Sequence, residues 1–353
     1  MVIYWLMFLV SAWAVLQEKN VQIYPIRSRL GVFWVTASIT LTILIGLRYQ
    51  VGGDWGTYQN IFDEIADESL QYAVLKSDPT YGALNWLSAQ LGWGIVGVNI
   101  ACGGLFSWGL VSFCKQQPRA KLALLVAIPY LVIVIAMGYS RQAVAIGLVM
   151  LALARLARGD NFRFVLWVAL AATFHKSAVI MVPLAILAGS RNRAWSILWI
   201  GVTCILLYVL FIAEKIDTLY FNYVSAEMQS QGGAIRVLMN AVPAVIFLYF
   251  RRRFRLPEAE RALWTWVSLM ALGFMVFLGV SPSSTAVDRL ALYMIPLQLF
   301  VFARLPDVLG SWGKHNLLPT AVIIFYYACI QFVWLNFAQN AYAWVPYRFY
   351  IFE

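Results

Sequence analysis

The residues best equipped for chemistry in this chain are few and far apart. His175, followed by Lys176, splits the apolar stretch 162–189 into two runs of about 11–13 residues. At about 1.5 Å of rise per residue each run makes about 16–20 Å of helix, short of the ~30 Å hydrocarbon core of a bilayer. An imidazole there can accept a proton near neutral pH, and a titratable group at membrane depth is a functional candidate. The alternative is a polar plug hydrogen-bonded to a neighbouring span. Arg141, in Tyr139-Ser140-Arg141-Gln142, precedes an apolar run, 142–154, too short to lift it easily to the membrane surface.

Arg48, Arg236 and Arg289 also sit at the ends of apolar spans. Gathered with Arg141 and Lys176 they would form a positive recess suited to phosphate or diphosphate, because guanidinium groups bind phosphate bidentately and stay charged when buried. For each arginine alone the competing reading is snorkelling to the headgroups. Asp54 lies in Arg48-Tyr49-Gln50-Val51-Gly52-Gly53-Asp54-Trp55-Gly56-Thr57-Tyr58, whose three glycines permit tight turns beside a ligand. Asp54 can act as a base, hold a sugar hydroxyl, or pair with Arg48 as a loop brace. Trp55 and Tyr58 offer aromatic faces to a sugar, and Gln142 offers an amide. Asp288 and Arg289 read either as a local ion pair or as part of the recess. There is no HExxH, paired His, Walker loop or DxD, so neither a metal nor a cofactor is expected. The spans also lack the buried acids used for ion coupling, which speaks against a secondary transporter.

The elements that must position these residues follow from composition. Of 353 residues, 62% are hydrophobic and 12% charged, against roughly 45–50% and about 25% in soluble domains. The chain reads as an all-α, polytopic membrane helix bundle of about 12 transmembrane spans, one integral membrane domain over 1–353. The net charge of +10 lies in short loops between spans, as topology requires, and no nucleic-acid partner is expected. Cys102, Cys114, Cys204 and Cys329 fall in or beside apolar runs with no CxxC and read as small buried residues. With no Lys or Arg before Lys19, residues 2–17 read as a retained span and not a leader.

The spans are expected near 2–17, 30–47, 93–113, 122–138 (with Pro129 as a kink), 142–154, the 162–189 hairpin, 195–213, 236–250, 262–280, 290–303 and 317–335. Residues 48–91 form the long polar interval, a periplasmic loop. In it Tyr58, Ile61, Phe62 and Ile65 recur at helical spacing opposite Asp63, Glu64, Asp67 and Glu68, which predicts an amphipathic surface helix. Asp78-Pro79 starts a second short helix over 80–90. The outer loop 214–235 carries Glu214, Lys215, Asp217 and Glu227. The aromatic tail, Tyr342 to Phe352, reads as an interfacial belt. If the chain turns at His175 and returns, eighteen of the 26 Lys and Arg, including Arg27, Arg29, Arg191 and Arg193, face the cytoplasm, and both termini face the periplasm. One continuous span there would send Arg251, Arg252 and Arg253 outside, so the charge bias selects a short His-tipped hairpin.

Taken in order, Arg48…Gly53-Asp54-Trp55-x-x-Tyr58, Asp78-Pro79-Thr80-Tyr81, Tyr139-Ser140-Arg141-Gln142 and Phe174-His175-Lys176-Ser177 resemble the EpsG-like branch of bacterial polysaccharide polymerases, relatives of the Wzy O-antigen polymerases. The resemblance covers about residues 40–190 closely, and the C-terminal half by topology and Asp288-Arg289. It implies a GT-C-like, metal-independent glycosyltransferase of the bacterial inner membrane. Such an enzyme joins undecaprenyl-pyrophosphate-linked oligosaccharides, donor and acceptor, into exopolysaccharide or O-antigen at the periplasmic face, beside a flippase and a chain-length regulator. On this reading His175, Arg141 and Asp54 are catalytic. Arg48, Trp55, Tyr58, Gln142, Lys176, Arg236, Asp288 and Arg289 bind substrate. Two rivals stand beside it: a transferase moving single sugars from undecaprenyl phosphate, and a flippase hinged at Pro129, Pro183 and Pro243.

Overall fold

A computed structural model describes residues 1–18, 31–188, 232–281 and 283–353. The expected span at 195–213, Cys204, the acids and Lys215 of the 214–235 loop, and Lys19, Arg27, Arg29, Arg191 and Arg193 lie outside the described residues. The described chain is helical, and five helices are long and apolar enough to cross a membrane. Four shorter apolar helices accompany them, and the protein is a membrane protein.

The elements run α1 (Val2–Leu16), α2 (Val32–Gly46), α3 (Trp55–Ala66), α4 (Leu70–Lys76), α5 (Pro79–Gln90), α6 (Gly94–Cys114) and α7 (Ala120–Ala127). A π-helical stretch, Ile128–Ala136, leads into α8 (Ser140–Leu156) and α9 (Asn161–Phe174). A 3-10 turn, Lys176–Met181, is followed by α10 (Leu184–Ala188). Beyond 231 come α11 (Gly233–Phe250), α12 (Glu258–Val280), α13 (Ser284–Ala291), α14 (Ile295–Phe302), α15 (Leu305–Leu309) and α16 (Leu317–Phe337).

The core is the sequence's most uniformly apolar part. Every residue from Gln142 to Leu153 of α8, and all of the π stretch and α14, is buried. Helices apolar all round have no solvent-facing stripe and belong at the centre. Here α6 packs on α8 with backbones in contact: a Cβ on Gly109 would lie 2.3 Å from the Gly147 carbonyl oxygen, the small-residue contact that membrane helices favour. The wide turn begins at Pro129, which cannot donate to a regular ladder; a π stretch takes the place of the simple kink expected there.

The described part of the 162–189 stretch, 162–188, folds as a hairpin. His175 is extended (φ −158°, ψ 112°) and ends α9, and the returning chain brings the Ala185 carbonyl within 3.5 Å of Asn161 Nδ2 at the start of α9. The predicted amphipathic helix is α3, and its apolar residues Tyr58, Phe62 and Ile65 are buried within the protein. Helix α4, capped by Ser69 through the Tyr72 N–H, was not expected: its seven residues are too few for a period to show.

One expectation about the tail is corrected. Tyr342 and Phe352 are exposed as a belt requires, but Trp344 is 1% exposed. The tail folds across the 48–53 loop: Tyr49 N–H donates to Arg348 O, Gly52 N–H to Ala343 O, and Tyr350 N–H to Leu47 O. Trp344 donates its indole N–H to Ile133 O at 2.8 Å, inside the π stretch.

The bundle has two distinct ends. At one, Arg119 forms a bidentate pair with Asp307 (2.7 and 3.1 Å), and Arg304 reaches Glu260 and Gln117. At the other lie α3 to α5, Arg141, His175, Asp288 and both chain ends, with Tyr4 donating its hydroxyl to Trp344 O.

Candidate active site

Two helix starts at this second end break the usual rule for acids. Asp78 is the N-cap of α5 and Asp54 the N-cap of α3, yet neither side chain accepts a capping N–H. An N-cap Asp ordinarily satisfies an orphan donor of the first turn. Asp78 instead turns across to the start of α8, where Arg141 donates to its Oδ2 at 3.0 Å. His175 Nδ1 lies 3.8 Å from the same oxygen. One buried carboxylate thus joins α5, α8 and the tip of the hairpin. Thr80, which donates to Thr173 Oγ1 at 2.7 Å, ties α5 to α9 beside it. Burial pushes the Asp78 carboxyl up, but His175, Arg141 and Lys176 outweigh it and hold it below the ordinary carboxylate range.

The Arg141 guanidinium lies over the rings of Tyr58 and Tyr81, 5.6 Å from each centroid, and its buried Nε has no hydrogen-bond partner among the described residues. A buried unpaired donor is costly, and a phosphate oxygen would relieve it. Asp54 has the opposite balance to Asp78. Burial raises its pKa above the ordinary range, against the pull of Arg289, Arg141 and His175. All three groups are therefore near enough to act on it.

Arg236 and Asp288 form a two-toothed pair, Nε to Oδ1 at 2.7 Å and Nη2 to Oδ2 at 2.5 Å, joining α11 to α13. This corrects the local reading of Asp288-Arg289: on one helical turn adjacent residues point apart, and the carboxylate goes to the neighbouring helix. Arg289 lies over the Tyr139 ring at 5.6 Å, and its carbonyl accepts from Gln142 Nε2 at 2.6 Å. Tyr139 is within electrostatic range of Asp54, Arg236, Arg289 and Asp288. Lys176 stands at the hairpin tip close enough to act on Asp78, and Ser177 donates to Tyr293.

Arg48 is placed differently. It is 1% exposed, with donors spent on Ile45 O, Val51 O, Asn99 Oδ1 and Ser140 Oγ. It locks the end of α2 to α6 and α8, and it does not pair with Asp54. Its guanidinium supports Trp55 from 5.7 Å, and Trp55 keeps partial exposure beside Asp54. Tyr58 and Gln142 are buried, Tyr58 beneath Arg141 and Gln142 beneath Arg289.

Sequence reasoning quoted Asp78 and Tyr81 in a motif and placed Trp344 in the tail belt, but gave none of the three a site role. Asp78-Pro79 carried a complete explanation as a helix start, which hid the carboxylate's other partner. Trp344 lies 3.5 Å from where a Gly53 Cβ would be and 2.3 Å from where a Gly138 Cβ would be, a wedge between the Asp54 loop and the Tyr139 turn. Only the paired glycines hinted at it. Among the described residues no three His, Cys, Asp or Glu side chains group as metal ligands.

A family model for the EpsG family matches residues 31–349, which takes in every residue of this cluster. No curated protein and no solved structure matches the chain.

Proposed function

The chain belongs to the EpsG family, and from that premise we propose that it is a polysaccharide polymerase joining undecaprenyl-pyrophosphate-linked repeat units at the periplasmic face of the bacterial inner membrane. The observation that carries the proposal is the Asp78 carboxylate shared by Arg141 and His175. An anion that orients an imidazole through Nδ1 leaves Nε2 to take a proton, and the same anion fixes a guanidinium beside it.

In the proposed reaction a hydroxyl of the acceptor glycan attacks the anomeric carbon of the donor. The new glycosidic C–O bond forms as the bond to the diphosphate breaks, and the lipid diphosphate leaves with the electron pair. The hydroxyl proton passes to His175. Arg141, with its unpaired Nε, and Arg289 stabilise the charge growing on the diphosphate, the preorganised electrostatics that often dominate catalysis. Ionised Asp54 accepts a hydrogen bond from an acceptor hydroxyl, with Trp55 as an aromatic face. Arg236, set by Asp288, and Lys176 complete the positive surface. Arg48, Tyr58 and Gln142 act by positioning these groups. In this reading the arginines take the charge role that a metal fills in other glycosyltransferases, and the charge bias of the sequence, with twelve spans, supports a periplasmic position for the cluster and both termini.

The test uses the purified chain with a lipid-linked repeat unit. The expected result is a ladder of polymer with one lipid diphosphate released per bond formed. Transfer of single sugars from a lipid monophosphate, or translocation without new glycosidic bonds, would replace this reading with one of its rivals.

A further inference from the structure

We propose, resting on the reading above, that the groove between α11, the π stretch and α16 holds the hydrocarbon tail of a lipid-linked glycan, with the diphosphate at Arg236. The groove has a volume of about 680 Å³. A groove of this size has room for a hydrocarbon chain, and its lining, not its volume, sets it apart. Its walls are apolar: Ile235, Leu238 and Val242 on one side, Val333 and Phe337 on the other. These residues keep between 36% and 70% of their surface exposed, so the groove opens sideways, where lipid lies. One end is polar, formed by Arg236, Tyr139, Gln339 and Asn340.

A cleft with one cationic end and a long apolar body matches an anionic head on a hydrocarbon chain. The polar end is also continuous with the site. Arg236 is held by Asp288, and Tyr139 lies under Arg289. A diphosphate at that end is therefore next to the arginine proposed to receive the leaving group, with its tail already in place. A second apolar groove of about 660 Å³, between α1, α2 and α7, touches none of the cluster and serves as an internal control.

Cys329 lines the proposed groove, while Cys102 and Cys114 are buried. The experiment follows maleimide labelling of Cys329 in the full chain in detergent, read by mass spectrometry of its peptide. Farnesyl diphosphate is expected to slow labelling about tenfold, farnesol less, and inorganic diphosphate not at all. Leu238→Trp and Val333→Trp, which fill the groove, are each expected to abolish the protection. They should also raise KM for the lipid-linked substrate about tenfold, more than they lower kcat. Val10→Trp, in the control groove, should leave both readouts unchanged. Equal slowing by phosphatidylglycerol, or unchanged labelling with farnesyl diphosphate, would overturn the proposal. So would an unaltered KM in both groove variants. Protection in a protein that makes no glycosidic bonds would keep the groove and remove the polymerase reading.

Discussion

Two aspartates at helix starts, Asp54 and Asp78, leave their own helices uncapped, and their shifts run in opposite directions. Asp78 is held ionised by His175, Arg141 and Lys176 against the effect of burial. Its pKa in the folded chain lies below the unfolded value. The resulting stability is therefore fully present above the unfolded carboxylate pKa and is lost as pH falls through the folded one. Asp78→Asn is expected to melt below the parent at neutral pH, with the gap closing on acidification; thermal melts across pH check this, and a constant gap would contradict it. The same variant should lower polymer formation about 10²-fold or more, since the imidazole loses its orienting partner. Asp54 is shifted up by burial, so it loses its charge at a higher pH than an ordinary carboxylate. The rate advantage of the parent over Asp54→Asn should be largest above that pKa and shrink as pH falls through it. A ratio independent of pH would show that the Asp54 charge does not act.

At the scale of elements, the site depends on backbones brought unusually close. Trp344 fills the space between the loop carrying Asp54 and the turn carrying Tyr139 and Arg141. It is pinned by its indole bond to Ile133 O, so it cannot swing aside. Gly138→Ala puts a methyl group 2.3 Å from the Trp344 ring, whereas Gly53→Ala makes an ordinary contact at 3.5 Å. The first is expected to cost about 1–3 kcal/mol in stability and most of the activity, the second little of either. Melting and polymer assays on the pair decide it; equal effects would remove the wedge from the account. A buried polar chain supports the neighbouring element: Tyr327 donates to Gln298, Gln298 to Asn240, and Asn240 to the Ala291 carbonyl at the end of α13. It fixes the helix that bears Asp288 and Arg289.

Across the whole molecule the two ends have different jobs. The Arg119–Asp307 pair, 6% and 1% exposed at the side chains, closes the end remote from the cluster. Arg119→Ala strands a buried carboxylate and is expected to cost about 3–5 kcal/mol while leaving the rate per folded molecule unchanged. Melting curves and active-fraction measurements separate the two effects. The positions of the long helices were legible because hydrophobic period and charge bias are strong local signals, and the turn at His175 followed from where the arginines must lie. The motifs around Asp54, Arg141 and His175 were legible as short polar breaks at span ends. Partner choice was not. Asp288 goes to Arg236, Arg48 reaches Asn99 and Ser140, and Asp78 goes to Arg141, because each pairing is decided by how distant helices dock. A tail read as a belt turned out to be a brace for the same reason.

The most direct test of the central claim is polymer formation from a lipid-linked repeat by Arg141→Ala and His175→Ala, each purified and compared at matched folded protein. The account predicts that both lose the ladder while still unfolding cooperatively, Arg141→Ala at a lower temperature because it leaves buried Asp78 without its ion-pair partner. A near-normal ladder from either would contradict it.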